Sequence, residues 1–267
     1  MSWTNLAAAV EDAERYGIVG VSVVGPDGSA WSHNGTRKFK AASTVKIPLM
    51  IEIFRRIDAG AASLDDRHVL KAEEKAPGSG VMLNLHDGIE LTLNDLIYLM
   101  ISISDNTATN LLIRLAGMDA VNKTMQELGM ENSNLGREMK NRAAIEGEEE
   151  NWAAAEDYTR IVQTILDGSA ASASSCAAML AQLQLQQTHR RIARYIPQDD
   201  AIEWGSKAGS IKDVTNDAGY VKTDKGQLVI AVFCDGMADQ HRGEQMIGEI
   251  ARAALLDTGV VEPLPIV

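Results

Sequence analysis

Strand-like segments occur only near the two ends of the chain, and this distribution restricts the possible folds more than any other feature. Near the N-terminus, GIVGVSVVGPDG and SAWSHNG are rich in valine and small residues around a Pro-Asp-Gly turn, which is typical of a β-hairpin. Near the C-terminus, IEWGSKAGS, TNDAGYVKT and QLVIAVFCDG indicate three more strands, the last two joined by a tight turn. These strands have only each other as partners, so residues 15–35 are expected to pair with residues 202–236.

The middle of the chain, between residues 43 and 190, has a mainly helical pattern, and a last helix is predicted over about residues 239–256. The two chain ends would therefore build one lobe, residues 1–40 and 190–267, that contains a sheet and helices. Residues 41–189 would form an all-helical lobe inserted into it. A chain of 267 residues is long enough to bury a core in two such lobes.

Charge and composition limit the kinds of partner. The chain has 37 acidic against 25 basic residues, whereas a nucleic acid or an anionic membrane requires a basic face. The five histidines lack the spacing of metal ligands, so no metal site is expected. No other cofactor is expected either. No apolar run approaches the roughly 20 residues that span a bilayer. The expected partner is a small-molecule substrate, and the oligomeric state stays open.

The N-terminus and the cysteines bear on the compartment. MSWTNLAAAVEDAERYG reads as an amphipathic helix, without the basic and then apolar regions of a signal peptide. The chain as it stands is therefore expected to be cytoplasmic, or periplasmic or secreted if a leader has been removed. Cys176 and Cys234 lie in unlike contexts, which favours two buried thiols over a disulfide.

Three short motifs carry candidate chemistry. In FKAASTVKIPLM, Ser43 and Lys46 stand three apart where a helix over residues 43–58 is predicted to begin. Such a pair is either a solvated surface neighbour or a nucleophile with its base. Ser104-Asp105-Asn106 precedes a strongly periodic helix, and Lys207-Ala208-Gly209 lies on a predicted strand. In this order, Ser-x-x-Lys, Ser-Asp-Asn and Lys-x-Gly are the motif set of serine β-lactamases and penicillin-binding proteins.

With these motifs the chain resembles the class A β-lactamase family over nearly its whole length, and more narrowly a serine-hydrolase branch of it. PGSGVMLNLHDGIELTLNDLIYLMISISDNTATNLL and SIKDVTNDAGYV are also similar to that branch. The resemblance implies an α/β (α+β) fold, with a five-stranded antiparallel sheet flanked by helices and packed on the inserted all-helical lobe. The active site would lie in the cleft between the two lobes.

The resemblance also implies the roles of the site residues. Ser43 would be the acylated nucleophile, and a desolvated Lys46 would accept its proton. Ser104 would relay a proton to the departing nitrogen, and Lys207 would fix a substrate carboxylate. The family also implies three substrate-binding residues, which are Asn106, Gly209 and Ser210. The side-chain amide of Asn106 would bind the substrate's amide, and the backbone N–H of Ser210 would complete the oxyanion hole. Asp105 is expected to be structural and to hold its loop.

Two departures from the family pattern leave the reaction open. β-Lactamases of this family carry a loop glutamate, two further residues and then Leu-Asn, which position the deacylating water. Glu138 is near the expected place, but MKNRA follows it and puts Arg142 where the asparagine would fall. The other glutamates of this segment also lack a following Leu-Asn: Glu146, Glu148, Glu149 and Glu150. In addition, Ala208 replaces the usual Thr or Ser, which removes a hydroxyl from the substrate-carboxylate site.

Three functional hypotheses follow. The first is a β-lactam-hydrolysing serine enzyme, which the overall resemblance favours. The second is a hydrolase of esters or D-alanyl peptides, which the two departures favour. The third is a binding module without catalysis, against which the intact Ser43, Lys46, Ser104 and Lys207 count.

Overall fold

The computed structural model describes residues 1–237 and 239–266, and these form a mixed α/β structure. The α-helices of this part of the chain are α1 (Thr4–Ala13), α2 (Lys46–Asp58), α3 (Leu93–Ser102), α4 (Asn106–Ala116), α5 (Met118–Glu127), α6 (Ala155–Leu166), α7 (Ala173–Gln184) and α8 (Gln240–Thr258). The strands are β1 (Ile18–Val24), β2 (Ala30–His33), β3 (Phe39–Lys40), β4 (Arg67–Val69), β5 (Glu90–Thr92), β6 (Trp152–Ala153), β7 (Glu203–Ile211), β8 (Val214–Thr223) and β9 (Gly226–Asp235).

Both chain ends build the main sheet, as predicted. Its five strands lie in the order β2-β1-β9-β8-β7, and every neighbouring pair is antiparallel. The N-terminal strand β1 pairs along its whole length with β9, from Ile18 opposite Asp235 to Val24 opposite Val229. The short pairs β3–β6 and β4–β5 lie outside this sheet. The segments between β2 and β7 are otherwise largely helical, which the sequence pattern also predicted.

Each face of the sheet covers its own apolar core. The inner core joins Ala218, Tyr220 and Phe233 of the sheet to the central helices, including α2, α4 and α6. The outer core joins the opposite face, with residues such as Ile230 and Val232, to α1 and α8. Successive side chains of a strand alternate between the two faces. A shift of the strand register by one residue would therefore move every side chain to the opposite face.

The start of α2 differs from the prediction. The sequence suggested a helix from residue 43, but Ala42–Val45 form a 3₁₀ turn and the α-helix begins at Lys46. Pro48 explains this, because a proline fits in the first turn of a helix, where its missing N–H has no partner, and disrupts later turns. Ser43 therefore lies on a tighter turn than an α-helix provides.

Two polar side chains hold segments around the central helices. Asp58, at the end of α2, accepts hydrogen bonds from the Ser172 backbone and hydroxyl and from the Ser175 hydroxyl, where α7 begins. Asn151 lies before α6, which begins at Ala155, and its Oδ1 accepts the N–H groups of Gly136 and Arg137.

The thiols of Cys176 and Cys234 are free and buried, as predicted. No helix in the described part of the chain has the length and apolar character needed to cross a membrane.

Candidate active site

Strand β7 packs directly against the turn that carries Ser43. A Cβ atom placed on Gly209 would lie 2.8 Å from the backbone nitrogen of Ser43 and 3.0 Å from that of Thr44. Only glycine allows this approach, so the Lys-x-Gly motif brings the edge of the sheet to Ser43. The neighbouring strand contributes Asn216, whose Nδ2 donates to the carbonyl oxygens of Lys40 and Ala41, at 2.8 and 3.2 Å, just before the turn.

An open cavity of about 680 Å³ lies along this junction. Its walls include Ser43 and Ser104 from the helical side and Lys207, Gly209 and Ser210 from the sheet. A second, smaller cavity of about 30 Å³ also adjoins Ser43 and contacts Asn106. Six of the seven residues expected at the site therefore line one of these two cavities, and the seventh, Lys46, is fully buried.

Lys46 is held by the Ser-Asp-Asn motif. Its Nζ donates to the carbonyl oxygen and the Oγ of Ser104, at 2.7 and 2.9 Å, and to Oδ1 of Asn106 at 3.1 Å. Within the described residues Nζ makes no hydrogen bond to Ser43. Burial lowers the pKa of Lys46 well below its usual value, and the nearby charge of Lys207 lowers it further. A neutral amine in this position can accept a proton.

Ser104 and Asp105 make different contacts. The backbone of Ser104 is left-handed, with φ of 60°, and this uncommon conformation for a serine accompanies its two contacts with Lys46. The carboxylate of Asp105 instead accepts backbone N–H groups from Val81, Met82 and Ala108, at 2.7 to 3.0 Å. Asp105 thus caps α4 and holds the adjacent loop, which is a structural role.

Both polar atoms of the Asn106 side chain make a hydrogen bond. Its Oδ1 accepts from Lys46, and its Nδ2 donates to the carbonyl oxygen of Pro77 at 2.9 Å. Each atom has further capacity for a substrate amide, since Nδ2 carries a second N–H and Oδ1 a second lone pair.

Lys207 lies on the opposite wall of the larger cavity. It is fully buried, and its Nζ donates to the carbonyl oxygen of Ala208 at 2.8 Å. Burial lowers the pKa of Lys207 to about 7; the negative charge of Asp217 raises it, and the positive charge of Arg191 lowers it. Near neutral pH this amine is therefore partly charged.

Arg191 is a buried cation in this cavity that the sequence analysis did not single out. Its Nη1 donates to the carbonyl oxygens of Gly209 and Asn216, at 2.9 and 2.6 Å, and its Nη2 donates to the Ser210 hydroxyl at 2.5 Å. The carboxylate of Glu244 lies 3.4 Å from Nη2. Arg191 stands in the run THRRIARY, in which nothing distinguishes it from its basic neighbours, so only the tertiary contacts reveal it.

The carboxylates of residues 137–151 are largely engaged in ion pairs. Glu138 forms two hydrogen bonds with Arg114 and lines neither cavity. Glu148 pairs with Lys140 and Arg142. The family spacing would place an asparagine at position 142. Arg142 occupies this position and stabilises the loop through its ion pair with Glu148.

Glu150 is the one carboxylate of this loop among the described residues that line the small cavity beside Ser43. Its Oε1 accepts from the side chain of Arg137 and the N–H of Asn151, and its Oε2 accepts from the N–H of Ala144. These bonds use the carboxylate as a support for the loop, and they leave no loop carboxylate free beside Ser43 in the described part of the chain.

Comparison with known proteins places these features in a family. A family model described as the beta-lactamase enzyme family matches residues 3–258. The crystal structure of a β-lactamase from Sphaerobacter thermophilus is 57% identical, covers 98% of this chain and 99% of that one, and superimposes with a TM-score of 0.96. The structure of PBP-A is 26% identical, covers 95% of each chain, and has a TM-score of 0.85.

Among curated sequences, a β-lactamase of Rhodobacter capsulatus is 36% identical over 111 residues, which are 41% of this chain. The match spans 38% of the length of that relative. Because the family model extends from α1 to the end of α8, it covers both sides of the cleft. The chain therefore belongs to the β-lactamase enzyme family.

Proposed function

We propose that this protein is a serine hydrolase that opens the cyclic amide of β-lactams through an acyl-enzyme on Ser43. The cleft would lie between the helical lobe, residues 41–189, and the α/β lobe, residues 1–40 and 190–267. The observation that carries the proposal is the buried amine of Lys46, held at Ser104 behind a cavity that Ser43 and Lys207 both line.

Acylation begins with attack of Ser43 Oγ on the β-lactam carbonyl carbon. The hydroxyl proton passes to neutral Lys46, whose charge is disfavoured by burial. The oxyanion is stabilised by the backbone N–H groups of Ser43 and Ser210, which the close contact of Gly209 brings together. The proton then moves from Lys46 through Ser104 to the ring nitrogen as the C–N bond breaks.

The sheet side of the cleft binds the substrate carboxylate. Protonated Lys207 provides the charge, and the Ser210 hydroxyl, held by Arg191, lies on the same wall. Because Ala208 lacks a hydroxyl, one charge-assisted hydrogen bond is lost, worth about 1.5–3 kcal/mol. This corresponds to roughly a tenfold to hundredfold loss of affinity.

A second candidate function is the hydrolysis of an ester or a D-alanyl peptide on the same scaffold, with weak or absent β-lactam turnover. The ion-paired loop favours it, since Glu138, Glu148 and Glu150 all have cationic partners. A water that attacks the acyl-enzyme would then lack a carboxylate base. The lack of this base slows hydrolysis least when the acyl-enzyme formed from the substrate reacts readily with water.

Parallel assays separate these functions. Hydrolysis of a chromogenic cephalosporin, a nitrophenyl ester and a D-alanyl-D-alanine peptide would be measured for the wild type and for Ser43→Ala. We expect cephalosporin opening and a mass increase on the Ser43 peptide. Ester or peptide turnover alone would favour the second function, and activity that persists in Ser43→Ala would refute the mechanism.

A further inference from the structure

The large and the small cavity beside Ser43 meet at a junction. Among the described residues, five line both cavities: Ser43, Ser79, Asn141, Ser210 and Ile211. Ser43 and Ser210 already have roles in the proposed reaction. Asn141 has none so far, and it carries the one carboxamide of this described set. It therefore has the chemistry to bind a substrate amide at the junction.

Packing and backbone conformation hold Asn141 in this place. Its backbone is left-handed, with φ of 55°, a conformation that asparagine adopts more readily than most residues with a Cβ. A Cβ placed on Gly78 would lie 2.7 Å from Cβ and Cγ of Asn141 and 2.5 Å from Nδ2 of Asn106. Because both side chains lie within 2.7 Å of this one point, the carboxamides of Asn141 and Asn106 are side by side.

The two carboxamides retain hydrogen-bonding capacity. The side chain of Asn141 is exposed and makes no hydrogen bond within the described residues, although its neighbours Lys140 and Arg142 both pair with Glu148. Asn106 uses one N–H and one lone pair and keeps one of each. The pair can therefore offer both donors and acceptors to a ligand.

The structure of a β-lactam determines which of its groups reaches the junction. The ring nitrogen and the carboxylate lie on one side of the scissile carbonyl, and the acylamino group lies on the other. Ser104 and Lys207 line only the large cavity, whereas Asn106 lines only the small one. The small cavity, at about 30 Å³, admits a group about as large as a water molecule. A longer acyl chain must therefore leave through the junction, past Asn141.

We propose that Asn141 is a specificity-determining residue that, beside Asn106, hydrogen-bonds to the acyl-side amide of the substrate. The preferred substrates are then acyl donors with an amide on the carbon next to the scissile carbonyl, such as acylamino-β-lactams and N-acyl-D-alanyl thioesters. This role rests on the proposed function, because it requires acylation of Ser43. It does not require a β-lactam ring, since the thioesters carry the same amide.

The test compares two thioesters of mercaptoacetate, which differ only in the amide: N-acetyl-D-alanyl and propionyl. With each donor the Oγ–C bond forms at Ser43, the C–S bond breaks, and the thiol leaves with the proton. Mass spectrometry of the Ser43 peptide gives the acylation rate. In Asn141→Gly we expect this rate to fall by about 3- to 10-fold for the N-acetyl-D-alanyl donor, as for the loss of one neutral hydrogen bond. The rate for the propionyl donor should not change.

Asn141→Gly should fold, because the lost side chain is exposed and glycine adopts the left-handed backbone without strain. Asn34→Gly is the matched control, since Asn34 is also left-handed, with φ of 50°, and lines neither cavity. Its ratio of the two acylation rates should equal that of the wild type. Equal slowing of both donors in Asn141→Gly, or the same change of ratio in Asn34→Gly, would overturn the proposal.

Two further outcomes separate this role from others. An unchanged ratio in Asn141→Gly, with slower release of the acyl group, would assign Asn141 to holding the attacking water and would also overturn the proposal. If thioesters acylate Ser43 but no β-lactam is opened, the proposed function fails, and the ratio still decides the role of Asn141. If no donor of either kind acylates Ser43, both proposals fail.

Discussion

Replacing Gly209 with alanine tests whether the packing of β7 on the Ser43 turn builds the active site. The added Cβ would lie 2.8 Å from Ser43 N, 3.0 Å from Thr44 N and 3.1 Å from Ala41 O, whereas ordinary contacts of a Cβ are 3.4–4 Å. All three neighbours are backbone atoms, which cannot rotate away as a side chain can. The strand and the turn must therefore separate by several tenths of an ångström.

This displacement has two expected costs. Overpacking of this kind reduces the free energy of unfolding by about 1–3 kcal/mol. Catalysis should suffer more specifically, because the substitution separates the N–H groups of Ser43 and Ser210. A misplacement of about 1 Å can cost roughly 10²-fold, so we expect acylation to slow by about 10- to 100-fold. Thermal unfolding and time-resolved mass spectrometry of the Ser43 peptide measure the two effects separately.

Gly205→Ala is the matched control on the same strand. Its Cβ would lie 2.9 Å from Leu183 Cβ and 3.0 Å from Tyr220 Cε1, so the packing is similarly tight, but these contacts are not with the Ser43 turn. Both variants should lose stability, and only Gly209→Ala should lose acylation. Equal slowing in both, or wild-type acylation in Gly209→Ala, would refute the reasoning.

Four other outcomes are expected. Lys46→Ala should slow acylation by about 10²- to 10⁴-fold through loss of the base, as followed by adduct formation on Ser43. For a carboxylate-bearing β-lactam, kcat/KM should fall above about pH 7 as Lys207 loses its proton, whereas a neutral ester should show no such fall. Stopped-flow cephalosporin turnover should show a burst and then a slow steady state; turnover as fast as acylation would contradict the interpretation of the loop. Asp105→Asn should mainly lower stability in thermal unfolding, by about 1.5–3 kcal/mol for each lost bond to the carboxylate.

The sequence predicted the sheet well because its strands carry a strong local signal. Valine-rich runs such as IVGVSVV and QLVIAVF are bounded by clear turn residues, and the helical middle left them no other partners. The role of Asp105 was predictable for a similar reason, since an acidic residue just before a periodic helix is typical of an N-cap.

The features that the sequence did not reveal depend on contacts between distant residues. Arg191 is buried because carbonyl groups of β7 and β8 accept its hydrogen bonds, and no local pattern encodes that arrangement. The amine of Lys46 donates to Ser104 and Asn106, which are distant in sequence. The spacing Ser-x-x-Lys alone does not encode these partners.

The two halves of the proposed reaction depend on different parts of the chain. Ser43, Lys46 and Lys207 lie on the 3₁₀ turn Ala42–Val45, on α2 and on β7. The loop of residues 137–151 combines its own ion pairs, such as Arg137 with Glu150, with hydrogen bonds to Asn110 of α4 and to Ala41. A sequence change confined to the ion-paired part of the loop should therefore alter deacylation more than it moves Ser43. It follows that the ratio of acylation to deacylation rates, rather than activity alone, distinguishes a β-lactam hydrolase from an enzyme that β-lactams merely acylate.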